Sequence, residues 1–164
     1  MKSFFAGAAV IALLALSVSC RLPPAEAPFS KVPDFTLPAL AGGKPVVFSE
    51  VNRENPVLLV FWATWCPSCE EEIPALNEIQ KKFSSQGLRI LAVNVEESGQ
   101  AVQDFQKNHP MNYPVLLDEK GKVTNQFGLA GVPVLVLAQK GGNVLYFGFS
   151  LPADLEKLLQ KGKP

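Results

Sequence analysis

The chain has 164 residues, 15 basic and 15 acidic, with three cysteines, one histidine and 48 % apolar composition. That length suits one domain with an adequate core. The balanced charge, without a basic patch, excludes a nucleic-acid partner.

Met1-Lys2 followed by the apolar stretch Phe4–Val18 reads as a secretory signal, one positive charge ahead of a hydrophobic core. The stretch falls short of the roughly 20 apolar residues that a spanning helix needs. Leu16-Ser17-Val18-Ser19-Cys20 resembles a lipoprotein signal, in which Cys20 takes the lipid and becomes the new N-terminus. It departs from the usual pattern at Ser17, where a leucine is common, and ordinary cleavage near Ala25 is the alternative. Removing Met1 to Ser19 takes away Lys2 and leaves 14 basic against 15 acidic residues, a net charge of −1. Arg21–Lys31, with Pro23, Pro24 and Pro28, reads as a tether. The expected organisation is therefore a signal peptide over 1–19, a lipidated cysteine and tether over 20–31, and one domain over 32–164.

Within the domain, Val57–Trp62 is apolar without alternation, the pattern of a central strand buried on both faces. Pro67–Gln86 reads as a helix, with Ile73, Leu76, Ile79 and Phe83 as its apolar stripe and Gly87 as its stop. Leu88–Val95 reads as the next strand, parallel to the first. Gln100–Lys107 follows as a helix with Ala101, Val102 and Phe105 inward, then a short strand Val115–Leu117 and a short helix Lys122–Phe127. Val134–Ala138 and Val144–Phe149 form a hairpin around Lys140–Asn143, and a helix over Pro152–Gln160 closes the chain.

The chemistry concentrates in Trp62-Ala63-Thr64-Trp65-Cys66-Pro67-Ser68-Cys69. Two cysteines three apart at a strand-to-helix junction form a redox device. The first sulfur meets unpaired N–H groups and the positive helix end, both of which favour a thiolate. The second lies on the same helical face, within reach of a disulfide. Pro67 suits the first helical position, where its missing N–H would have had no partner. Only Cys20 and His109 remain as further zinc ligands, and Glu70 stands where haem attachment requires a histidine, so no metal or haem is expected. His109, before Pro110, reads as a surface loop residue.

These residues, with Glu72-Ile73-Pro74, Gly131-Val132-Pro133 and the upstream Pro33–Leu37 and Gly43–Val46, resemble the TlpA/ResA-like extracytoplasmic branch of the thioredoxin superfamily. The resemblance runs from about Val32 to Leu159. It implies an α/β thioredoxin-like fold: a central mixed sheet flanked by helices, an N-terminal β-hairpin, and an insertion over Gln100–Leu117. It implies Cys66 as the exposed attacking thiol and Cys69, more buried, as the resolving one, with no cofactor beyond their redox-active disulfide. Trp65, Pro67, Val132 and Pro133 are the residues it places against a client, with a cis bond at Val132-Pro133.

Val60 occupies the position where thioredoxins proper carry a buried aspartate. The match at Val93-Asn94-Val95-Glu96-Glu97-Ser98 makes Glu97 the candidate acid/base for Cys69, against the plain reading of a solvated glutamate at a strand end. Glu70, Glu71 and Glu72 sit in the first turns of the active-site helix, where they either oppose the thiolate or simply complement the helix dipole. The function implied is an exported, monomeric reductase of protein disulfides, held at the membrane through Cys20 and recharged by a membrane thiol donor, with apocytochrome c among its clients. The alternatives are a disulfide oxidase or isomerase, a thiol peroxidase, and a Cu(I)-binding protein.

Overall fold

The computed structural model describes residues 26–161. The signal segment, Cys20, and the start of the tether lie outside the described residues.

The domain opens with an antiparallel pair of two-residue strands, β1 (Thr36–Leu37) and β2 (Val46–Val47), the expected hairpin. A five-residue helix that the sequence pattern did not reveal, α1 (Phe48–Asn52), follows directly. Asp34 ties it down by accepting from the Ser49 N–H at 2.8 Å and the Ser49 hydroxyl at 2.8 Å.

Every residue of β3 (Val57–Trp62) is buried, which is why its apolar run does not alternate. It pairs in parallel with β4 (Arg89–Val95), which pairs in parallel with β5 (Val115–Asp118). On its other side β3 pairs antiparallel with β6 (Val134–Ala138), which forms the terminal hairpin with β7 (Val144–Gly148). The five-stranded order is β5-β4-β3-β6-β7.

The helices are α2 (Pro67–Phe83), α3 (Gly99–Gln106), α4 (Lys122–Gln126) and α5 (Leu155–Lys161). Helix α2 continues past Pro74 into a 3-10 turn, Ser84–Gln86, and ends at Gly87, whose φ of 93° needs a residue without Cβ. Its stripe behaves as expected: Ile73, Leu76 and Phe83 are buried. In α3 only Val102 is buried; Ala101 faces solvent, because α3 is short and turns a narrow face inward.

Side chains alternate across the sheet and build two cores. One face gathers an aromatic cluster, including Phe35, Phe48, Phe61, Phe127 and Phe147. The other packs Leu58, Val60 and Trp62 against Cys66, Cys69, Leu76 and Phe83. Fully burying side chains of this size contributes about 1.5–3 kcal/mol each.

The expected tether is shorter than its Pro-rich composition suggests. Phe29 stacks edge-on against Phe127 at 5.2 Å and Phe147 at 6.1 Å, and Lys31 bridges Asn143 beside β7. Residues 29–31 therefore belong to the domain, because an aromatic ring there completes the aromatic core.

Candidate active site

Cys66 is the N-cap of α2, in extended conformation, with Pro67 in the first turn. The Cys66 Sγ accepts from the Cys69 N–H at 3.2 Å and lies 3.6 Å from the Ser68 hydroxyl. The helix start thus offers the sulfur a backbone donor of the kind that stabilises a thiolate. Cys66 and Cys69 are joined as a disulfide with Cα atoms 5.3 Å apart. The expected contrast in exposure is absent in this oxidised form: both residues are 4 % exposed. What separates the two sulfurs is position in the helix: Cys66 caps α2, and Cys69 sits inside its first turn.

The antiparallel register of β3 and β6 sets Phe61 opposite Val134. That pairing carries Val132 and Pro133, just before β6, toward the active-site turn just after β3. The Val132-Pro133 bond is cis, and Val132 packs against both cores. A groove of about 360 Å³ runs beside this bond, lined by Leu129, Gly131, Val132, Pro133, Phe147 and Phe149. Two large apolar side chains stand out in solvent, Trp65 at 67 % and Phe149 at 64 % exposure. Trp65 directly precedes the attacking position, whereas Trp62 lies buried in the core that holds the sulfurs.

Glu97 does reach the active-site turn. Glu96 takes a left-handed φ of 58°, uncommon for a residue with a side chain, and turns the chain out of β4. The Glu97 carboxylate then accepts from the Thr64 N–H at 2.8 Å, the Thr64 hydroxyl, and the Asn94 amide at 2.7 Å. It braces the turn two residues ahead of Cys66, with its oxygens occupied by three donors. Val60 stays in the core beside the cysteines as a plain apolar residue.

A second carboxylate was missed as an individual. Of the three consecutive acids, Glu70 and Glu71 are exposed but Glu72 turns inward. Its Oε1 accepts from the Leu151 N–H at 2.9 Å, while its Oε2 is buried without a hydrogen-bond partner. Burial pushes the Glu72 carboxyl above the usual carboxylate range, partly offset by the Leu151 N–H. Burial, and then the nearby Glu72 charge, push the Tyr113 phenol well upward. The available signal was helical phase: Glu72 falls three residues after Cys69, on its face, between the buried positions Cys69 and Ile73.

His109 lies in the loop after α3, as its sequence suggested, but is half-buried there and touches Glu70. Among the described residues, no group of three or more His, Cys, Asp or Glu side chains gathers as a metal site. Also among them, no helix is long and apolar enough to cross a membrane.

A central parallel–antiparallel sheet, a cysteine pair capping the helix after its middle strand, and a cis proline on the adjoining strand define a thioredoxin-like oxidoreductase. The comparisons agree. The model of the AhpC/TSA family matches residues 29–147. Thiol-disulfide oxidoreductase ResA of Geobacillus kaustophilus (strain HTA426) is 34 % identical over 137 residues, covering 82 % of this chain and 78 % of that protein. Its namesake in Bacillus subtilis (strain 168) is 37 % identical over 116 residues, covering 71 % and 64 %. Among solved structures, a thiol:disulfide interchange protein of the thioredoxin family from Chlorobium tepidum TLS superposes with a TM-score of 0.68 at 27 % identity, covering 84 % and 99 %. The chain belongs to the AhpC/TSA family and, within it, to the ResA-like thiol–disulfide oxidoreductases.

Proposed function

We propose that this oxidoreductase is an exported reductase of protein disulfides. The observation that carries the direction is the charge around the cap. The Cys66 sulfur is given a backbone N–H, while the charged side chain in the first turn of α2 is the acid Glu70, the basic ones being in its last turn. A weakly stabilised thiolate makes the reduced pair a ready electron donor; strong oxidants work the other way, by stabilising their reduced form.

In the reductive cycle the Cys66 thiolate attacks a client disulfide, forming a mixed disulfide and releasing one client thiolate, which takes up a proton. Cys69 loses its proton and attacks the Cys66 sulfur, expelling the second client thiolate. Two electrons pass to the client and the Cys66–Cys69 disulfide is left, to be reduced again by a membrane thiol donor. Glu72, a half-buried carboxyl held above its usual range one turn beyond Cys69, suits the exchange of that proton. Glu97 suits holding the turn that presents Cys66. Trp65, Pro67 and the Val132-Pro133 groove face an extended client segment, with Phe149 at the groove's edge.

Apocytochrome c thiols are among the clients this reading covers, and a Cys20 lipid anchor outside the cytoplasm completes it. Both rest on the sequence resemblance and the signal-like N-terminus. Client capture by Cys69→Ala tests the chemistry, since no resolving thiol remains and mixed disulfides should accumulate. Equal capture by Cys66→Ala would contradict the division of labour. Fractionation of wild type against Cys20→Ser tests the anchor: wild type should partition with membranes and the variant should not. A wild-type protein that is soluble and begins beyond Cys20 would refute it.

A further inference from the structure

His109 is the chain's sole histidine, and both of its ring nitrogens face acceptors. Nδ1 lies 3.1 Å from the Phe105 carbonyl oxygen and Nε2 lies 3.0 Å from the Glu70 carboxylate. A carbonyl and a carboxylate can only accept, so a neutral imidazole, with one N–H, satisfies one contact and turns a lone pair on the other. The imidazolium, with two N–H groups, satisfies both. The ring is held in this orientation by stacking on Phe105 at 4.1 Å and 17°, and Phe105 in turn packs on Trp62 at 5.5 Å. Trp62 belongs to the core that holds the sulfurs.

The contact joins the inserted region to the active-site helix. Asn77, two turns along α2 from Glu70, donates to the Pro110 carbonyl at 2.8 Å and accepts from the Asn112 N–H at 2.8 Å. The segment between α3 and β5 is thus pinned to α2 at two points, through Asn77 and through His109. Of the charged groups on the packed elements, Glu70 of α2 is in contact with the ring. Asp104 and Lys107 of α3 are exposed and paired with each other at 2.6 Å, and Glu71 and Glu78 of α2 point into solvent. Tyr113, at the far end of the connecting segment, is buried and neutral.

We propose that His109 is a positioning residue for the dithiol reaction, holding Glu70 against the insertion and, when protonated, offsetting its charge in the first turn of the helix that Cys66 caps. When the proton leaves, the remaining N–H serves one of the two acceptors and a lone pair faces the other, and on either tautomer the positive charge that offset Glu70, one residue after Cys69, is gone. The Glu70 charge then disfavours the Cys66 thiolate. The attacking form is thus favoured where His109 is protonated and disfavoured above that range. Reciprocally, a thiolate at Cys66 strengthens His109's hold on its proton and disulfide formation weakens it.

The inference rests on the thiol–disulfide reading, and its test separates the two. In the full-length protein the lone histidine gives one ring Cε1 proton resonance, whose pH titration needs no activity. Glu70→Gln, which removes the charged acceptor at Nε2, should move that titration to lower pH. An unmoved curve would overturn the proposal even if the protein reduces disulfides normally.

The second readout is the pH profile of Cys66 alkylation in the reduced protein. His109→Gln should shift it upward by about half a unit, close to threefold in rate at a fixed pH below the midpoint. Glu70→Gln should leave it close to wild type, and the double variant should match Glu70→Gln, because the charge His109 compensates is then gone. His109→Lys should restore the wild-type midpoint. A shift from His109→Gln of the same size with Gln at position 70 as with Glu would show a merely structural role and overturn the proposal.

Discussion

The two faces of the central sheet are built to different standards. The face packed by Phe29, Phe35, Phe61, Phe127 and Phe147 sets interlocked aromatic rings, with centroid spacings of 5.0–6.1 Å, among aliphatic side chains. The opposite face, under α2, holds the sulfurs, and the buried polar atoms that lack partners fall there: Trp62 Nε1, Asn94 Oδ1, and on α2 itself Glu72 Oε2 and Gln80 Oε1. One face is a closed apolar core, and the other carries polar atoms among the groups that surround the sulfurs.

Four expectations sharpen this contrast. The largest effect is chemical: Cys66→Ala should abolish turnover of any disulfide substrate while costing the reduced protein only the about 0.5–2 kcal/mol of a lost helix cap. On the aromatic face, Phe127→Ala should cost about 3–5 kcal/mol in denaturant unfolding, as deletion of a buried ring does, yet leave the potential of the pair in place. A potential that moved with Phe127 would mean the two faces are coupled.

Glu97→Gln comes next. Its amide nitrogen would confront one of the donors now served by the carboxylate, from Thr64 or Asn94. A loss of about 1–2 kcal/mol, with a slower and altered pH profile of reduction, is expected. Glu96→Gln should do much less, since Glu96 is exposed. Indistinguishable profiles for the two variants would remove Glu97 from the site.

The smallest effect belongs to Glu72, and its sign follows from the raised carboxyl. A group held above its unfolded value contributes stability that is fully present below the unfolded range and is lost as pH rises through the folded one. Wild type should therefore lose stability on going from pH 4 to pH 7 through Glu72, and Glu72→Gln should not. Because the side chain is half in solvent, the difference should stay under about 1 kcal/mol. Urea unfolding of both proteins at the two pH values measures it.

Much of the architecture was legible because periodicity and punctuation are local. The unalternating Val57–Trp62 run, the stripe of α2 and the Gly87 stop were each written in a few consecutive residues. Helix α1 was not, since Phe48–Asn52 is too short for a period and is secured by Asp34, 15 residues earlier. Phe29 was concealed by the prolines around it, and only the tertiary structure supplies its partners Phe127 and Phe147. At the site, motif and position gave Cys66, Cys69, Pro133 and the approach of Glu97. The separate fates of Glu70, Glu71 and Glu72 were unreadable, because three identical side chains differ only in what the loop after α3 and the segment before α5 bring against them.

The central claim is that this site donates electrons. The most direct measurement is the equilibrium of the Cys66–Cys69 pair in glutathione buffers of known ratio, read by gel shift after thiol alkylation. The account predicts a potential at or below that of thioredoxin, about −270 mV, with the pair oxidised in all but the most reducing mixtures. A potential near the about −120 mV of a strong oxidant such as DsbA would contradict it and make the protein a disulfide donor on the same fold.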